Sequence, residues 1–142
     1  MTTLKKEMFL PFTQSQLFGL VNRVEDYPQF LPWCISTNVY ERSIDRVKAN
    51  MIVGKTGFQQ SLTTVNTLFP EERIVIRLLE GPLQYLEGVW EFKAVEGGSL
   101  VNLSVDFEFS NKLISLTVRP VSSVIVDKIV RSFCNRAEAL YG

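Results

Sequence analysis

One pattern constrains this chain more than any other: apolar and polar residues alternate in segment after segment, and the series closes on a single stretch with helical periodicity. In the last alternating segment Val101, Leu103, Val105, Phe107 and Phe109 interleave with Asn102, Ser104, Asp106 and Glu108, the mark of a strand with one dry and one wet face. Trp90 and Phe92 alternate with Val89, Glu91 and Lys93, and Ile74, Ile76 and Leu78 with Val75, Arg77 and Leu79. Strands of this kind share one apolar sheet face, and that face needs a cover. The C-terminal segment supplies it: Val126, Ile129, Val130, Phe133, Ala137, Leu140 and Tyr141 recur at steps of three and four, with Lys128, Arg131, Asn135 and Glu138 opposite. Pro120 is expected to end or kink any helix arriving from Lys112. The cover is therefore read from Val121, a helix of 21 residues and about 31 Å.

The remaining elements follow from local signals. Leu4 to Leu10 reads as a strand stopped by Pro11. Thr13-Gln14-Ser15-Gln16 is a capping box, and Phe12 and Leu17 hold the two positions of a hydrophobic staple. Leu17, Leu20, Val21 and Val24 then form one helical face, ending near Val24. A second short helix starts around Asp26-Tyr27-Pro28 and stops at Pro32, leaving an aromatic elbow of Tyr27, Phe30, Leu31 and Trp33. Six strands are expected at Ile35–Arg42, Val47–Val53, Phe58–Leu68, Arg73–Glu80, Leu86–Ala94 and Leu100–Phe109, with the clearest hairpin at Gly97-Gly98. The fold class is α+β: a seven-stranded antiparallel sheet wrapped on a long C-terminal helix, with two short helices between strands 1 and 2. At 142 residues one domain, 1–142, accounts for the chain. A sheet curled around a helix leaves room for an apolar pocket between them.

Composition narrows the chemistry. There is no histidine, which removes the Ser-His-Asp and Cys-His nucleophile pairs, imidazole metal ligands and the usual neutral-pH general base. Cys34 and Cys134 stand a hundred positions apart, so neither a CxxC redox motif nor a zinc knuckle can be written. They are read as buried free thiols, with a disulfide between them left open. Asp106 and Glu108 fall on the wet face and Glu71-Glu72 in a turn, so no paired acid and base stands out. Gly54-Lys55-Thr56-Gly57 lacks the upstream spacing of a phosphate loop and is a turn. No catalytic residue and no metal site is assigned.

Fifteen Lys and Arg balance fifteen Asp and Glu, which argues against DNA as a partner and against strong attraction to anionic membranes. The uncharged stretch Met8–Asn22 is too short and too polar to span a bilayer. No secretory leader is visible, and a cytoplasmic protein with at most peripheral membrane contact is expected. From Ser110 onward five cations face two anions. This excess reads either as a solvated helix face or as a contact with an acidic partner through Lys128, Arg131 and Arg136. The Phe residues are mostly core, whereas Tyr27, Trp33, Tyr85 and Trp90 fall where a pocket rim is expected, each with a polar handle.

Three motifs in order, VEDYPQFLPWC (Val24–Cys34), EGPLQYLEGVWEF (Glu80–Phe92) and VDFEFSNKL (Val105–Leu113), resemble the coenzyme Q-binding START-domain family and its ribosome association toxin branch. The resemblance implies a helix-grip fold of the START-like, polyketide cyclase and lipid-transport superfamily. It further implies a cavity between sheet and C-terminal helix that binds ubiquinone or a related lipid in support of respiration, with no cofactor required. Carried onto this chain, that cavity falls on Tyr27, Phe30, Leu31, Trp33, Met51, Leu62, Leu78, Leu83, Trp90, Val130 and Phe133. Each buried CH₂ contributes about 0.8 kcal/mol, so a few isoprene units give useful affinity without any ionised group, and the Tyr27 hydroxyl or a Trp indole is the expected donor to a quinone head. The toxin branch implies instead a contact with the large ribosomal subunit that blocks subunit association. A third reading, an oligoketide cyclase, lacks a positioned proton-transfer group.

Overall fold

β1 (Thr2–Leu10) ends at Pro11, and Thr13 then caps α1 (Gln14–Asn22). The Thr13 hydroxyl accepts from the Gln16 amide at 3.1 Å, and the Gln16 side chain accepts from the Thr13 amide at 2.9 Å, so the capping box is complete. A 3₁₀ turn (Val24–Asp26) and the single-turn α2 (Tyr27–Phe30) form the elbow. The meander follows: β2 (Cys34–Arg42), β3 (Arg46–Lys55), β4 (Phe58–Phe69), β5 (Arg73–Glu80), β6 (Leu83–Val95), β7 (Gly98–Phe109), then α3 (Lys112–Tyr141). The computed structural model describes residues 2–55, 57–109 and 112–142, with the side chains of 112–122 excepted.

All seven strands form one antiparallel sheet in the order β1-β7-β6-β5-β4-β3-β2. The first strand thus closes on the last, and β1 and β2 are the edges. Register shifts at Cys34/Ser36, Val39/Glu41, Thr63/Thr64 and Leu83/Tyr85 add local twist and curl the sheet toward α3. The β6–β7 hairpin shows why two glycines stand there. Gly97 takes φ 83°, in the left-handed region. At Gly98 a Cβ would lie 2.1 Å from the Leu10 carbonyl oxygen, so glycine lets β1 leave the sheet across the turn. The adjacent Ser99, fully buried, donates its hydroxyl to the Phe12 carbonyl at 2.8 Å and ties the entry of α1 to the same corner.

The core lies on the concave face. Val47, Ala49, Leu68, Ile74, Trp90, Phe92, Val101 and Leu103 from the sheet meet Leu17, Leu20 and Val21 of α1 and Val130, Phe133 and Ala137 of α3. The alternation read in β5, β6 and β7 selects this face in each case.

Three expectations change. α3 begins at Lys112 and carries 30 residues, about 45 Å, running through Pro120. A proline removes one backbone donor and strains one turn, which biases a boundary without dictating it in a helix this long. β6 starts at Leu83 instead of Leu86 because the Leu83/Tyr85 shift breaks the alternation that a sequence can show. Leu140, placed on the apolar stripe, is 45% exposed. At the last turn Tyr141 takes the contact, its ring 6.0 Å from Phe12 and its hydroxyl accepting from Arg23 at 2.7 Å.

Candidate functional site

Between the concave sheet and α3 lies a cavity of about 210 Å³. Its walls are Ala49, Met51, Leu62, Ile76, Leu86, Trp90, Leu103 and Val105 from the sheet, Val24, Tyr27 and Leu31 from the elbow, and Ile129 and Phe133 from α3. No ionisable carboxylate or amine is among the described lining residues. The space has a local cause in β6. Gly88 lies in mid-strand where a side chain would point inward, and a Cβ there would meet only Ile76, at an ordinary 3.8 Å. Packing does not demand this glycine, and its missing side chain leaves volume.

Of the residues assigned to the cavity from the sequence, Tyr27, Leu31, Met51, Leu62, Trp90 and Phe133 line it. Phe30 and Val130 do not line it and belong to the surrounding packing. Phe30 packs edge-on against Tyr27 at 6.0 Å and Phe133 at 5.2 Å, and Val130 is buried in the core. Trp33, Leu78 and Leu83 are not among the lining residues. Trp33 adopts φ 64° as the chain reverses into β2, its carbonyl accepting from the Gly54 amide at 2.9 Å, and the Lys128 ammonium lies 5.5 Å over its ring. It is a surface cation–π partner, not a cavity wall. Tyr85 falls on the wet side of the Leu83/Tyr85 shift, with its hydroxyl donating to Glu87 at 3.3 Å.

Of the two expected head-group donors, the Tyr27 hydroxyl is already engaged. The buried Tyr27 hydroxyl donates to the Val21 carbonyl at the end of α1, and burial pushes its ionisation well above the ordinary tyrosine value. It holds the elbow in place and has no proton to offer a ligand. Sequence reasoning missed the polar residues that do reach the cavity, Asn50, Thr64 and Asn66. The Asn50 amide donates to Ser61 at 2.8 Å and Thr63 at 3.0 Å. The Thr64 hydroxyl donates to the Asn66 Oδ1 at 3.3 Å, and Asn66 is 4% exposed.

The thiols are free. Burial pushes Cys34 up to about 11, and burial, then Glu138, raises Cys134, whose sulfur lies 3.5 Å from that of Met8. Neither is tuned as a nucleophile, for which a depressed value is needed. Asp106 accepts from Thr3 at 2.5 Å on the wet face.

A second feature is an open groove between β1 and α3, lined by Leu4, Lys5, Lys6, Ser123, Val124, Val126, Asp127, Lys128 and Arg131. Four cations surround one acid: Asp127 is 2.6 Å from Lys6 and 3.3 Å from Arg131. Arg136, grouped with Lys128 and Arg131 from the sequence, is engaged elsewhere. Its guanidinium donates to Gln29 at 3.1 Å and lies 5.3 Å over the Phe30 ring, clamping the elbow to α3.

Comparison with known proteins bears on both features. The profile of the family described as polyketide cyclase / dehydrase and lipid transport matches residues 10–134. A ribosome association toxin RatA of Pseudomonas aeruginosa is 37% identical over 99% of this chain and 99% of its own. The mitochondrial coenzyme Q-binding protein COQ10 of Drosophila melanogaster is 26% identical over 91% of this chain and 55% of its own. The crystal structure of a Thermus thermophilus protein superposes with a TM-score of 0.86 at 18% identity, covering 99% of this chain and all of the other, which supports the helix-grip fold. No helix among the described residues is long and apolar enough to cross a membrane.

Proposed function

Since the chain belongs to the polyketide cyclase, dehydrase and lipid-transport family and stands within it among the ribosome association toxin RatA proteins, we propose that it is a non-catalytic binding protein whose cavity takes an apolar ligand, ubiquinone or a related lipid. The observation that carries this reading is the cavity itself. At about 210 Å³ with an almost wholly hydrocarbon lining, it exceeds the roughly 150 Å³ void that stays dry and holds benzene. A quinone ring with its first isoprene unit matches the scale, and the rest of the tail protrudes. Among the described lining residues none offers a proton-transfer group for a cyclase reaction. The test is a titration with a short-chain ubiquinone. Wild type is expected to bind, and Gly88→Leu, which fills the void from a position with room for a Cβ, is expected to lose at least tenfold in affinity; equal binding by both places the ligand elsewhere.

A second reading is favoured by the groove between β1 and α3. Its four cations suit a phosphate backbone, and the relatives named for ribosome association match this chain end to end. On this reading the large ribosomal subunit is the partner, bound through Lys5, Lys6, Lys128 and Arg131, a set that gains two lysines of β1 and loses Arg136. Wild type is expected to cosediment with large subunits, less so as salt rises, and the double change Lys128→Glu, Arg131→Glu to abolish it. Unchanged cosedimentation of that variant removes the groove as the contact.

A further inference from the structure

The polar side chains of the cavity are not equivalent in what they have left to offer. Tyr27 and Asn50 donate to Val21 and to Ser61 and Thr63, and the Thr64 hydroxyl donates to Asn66. That last bond occupies the Asn66 oxygen and so orients the amide. Among the described residues nothing accepts from the Asn66 NH₂, although the residue is 4% exposed and lines the cavity. The NH₂ is not one of the enclosed polar atoms without a partner, which among the described residues are Asn22 Oδ1 and Arg136 Nε, so it opens on the cavity, where a ligand atom is its natural acceptor. The register adds a second observation. Asn66 pairs with Ile76, and Ile76 with Gly88, so the orphan donor and the missing side chain share one row across the concave face.

We propose that Asn66, held by Thr64, is a polar subsite that selects apolar ligands bearing a carbonyl oxygen, the oxygen accepting from the Asn66 amide while the ring that carries it extends past Ile76 into the space that Gly88 leaves. Asn66 thus sets ligand class and orientation: ring inward, hydrocarbon tail toward the mouth. Resting on the cavity reading above, this assignment names what that cavity prefers. Neutral amide donation, with no charged side chain among the described lining residues, favours a quinone over a fatty acid carboxylate, which would bring a bare charge into hydrocarbon surroundings.

The test measures dissociation constants by titration calorimetry for a short-chain ubiquinone and for a benzene carrying the same chain. Wild type is expected to prefer the quinone. Asn66→Leu is expected to weaken the quinone about tenfold, the worth of one buried hydrogen bond, while the hydrocarbon binds as well or better. Thr64→Val, which frees the amide to turn, is expected to weaken the quinone less. Asn66→Ala stands in should Asn66→Leu not fold, with the same expectation for the quinone. Loss of both ligands by one factor, or no loss of the quinone, overturns the assignment while leaving the cavity in place. Binding of neither ligand to wild type overturns the cavity reading and this one with it.

Discussion

Phe133 stands edge-on to Tyr27 at 5.4 Å, to Phe30 at 5.2 Å and to Trp90 at 5.1 Å, so one side chain of α3 joins the elbow, the sheet and the cavity wall. Removing its ring leaves a void that rigid neighbours cannot fill. Phe133→Ala is expected to cost about 3–5 kcal/mol, read from urea unfolding, and a loss below about 1 kcal/mol contradicts this packing. Phe133 and Trp90 were legible because each obeys its element's period. Asn66 and Gly88 were not: β4 carries polar residues on both faces, Thr63 and Asn66 among the buried ones, and the register shift at Thr63/Thr64 hides which face each takes. A glycine inside a strand reads as a weakness or a bulge until its surroundings show that a Cβ would fit. Trp33 and Tyr85 were misplaced for a related reason, one through a left-handed backbone and one through a bulge, neither of which leaves a periodic trace.

The elements themselves were read from end signals that act locally. Thr13 and Gln16 cap α1 as the motif requires, and Pro11, Pro28 and Pro32 bound the short elements near the positions expected of them. At Pro120 the helix continues instead of ending, which marks where a local stop signal yields to a long helix. α3 is held to the sheet edge by Lys6 and Asp127, and this contact has a pH signature. The hydrogen bond from Lys6, opposed by partial burial and aided by the charges of Lys6 and Arg131, holds the Asp127 carboxyl below its usual value. A carboxylate depressed in the folded state stabilises above its unfolded value and loses that contribution as pH falls through the folded one. Asp127→Asn is therefore expected to be less stable than wild type at neutral pH, and the gap is expected to close as acid protonates the Asp127 carboxyl in the folded protein. Equal stability at pH 7, or a gap that persists in acid, shows that the pair does not join β1 to α3.

At the scale of the whole molecule, the order of elements and the buried face of the sheet followed from alternation and from one amphipathic segment, because a greasy sheet face and a greasy helix stripe have only each other to cover. The void between them did not follow. It depends on Gly88, on the curl produced by the register shifts, and on rings at the elbow that stop short of filling the space, all properties of three-dimensional fit. The two proposed activities use different residues, those of the cavity inside the grip and those of the cationic groove along its edge, so one chain has room for both. The most direct test of the central claim is organic extraction of the protein purified under native conditions, with mass spectrometry of what is released, in wild type and Gly88→Leu side by side. The account predicts an apolar, carbonyl-bearing molecule approaching one per chain in wild type and largely absent from Gly88→Leu. Nothing released from wild type, or the same release from both, contradicts it.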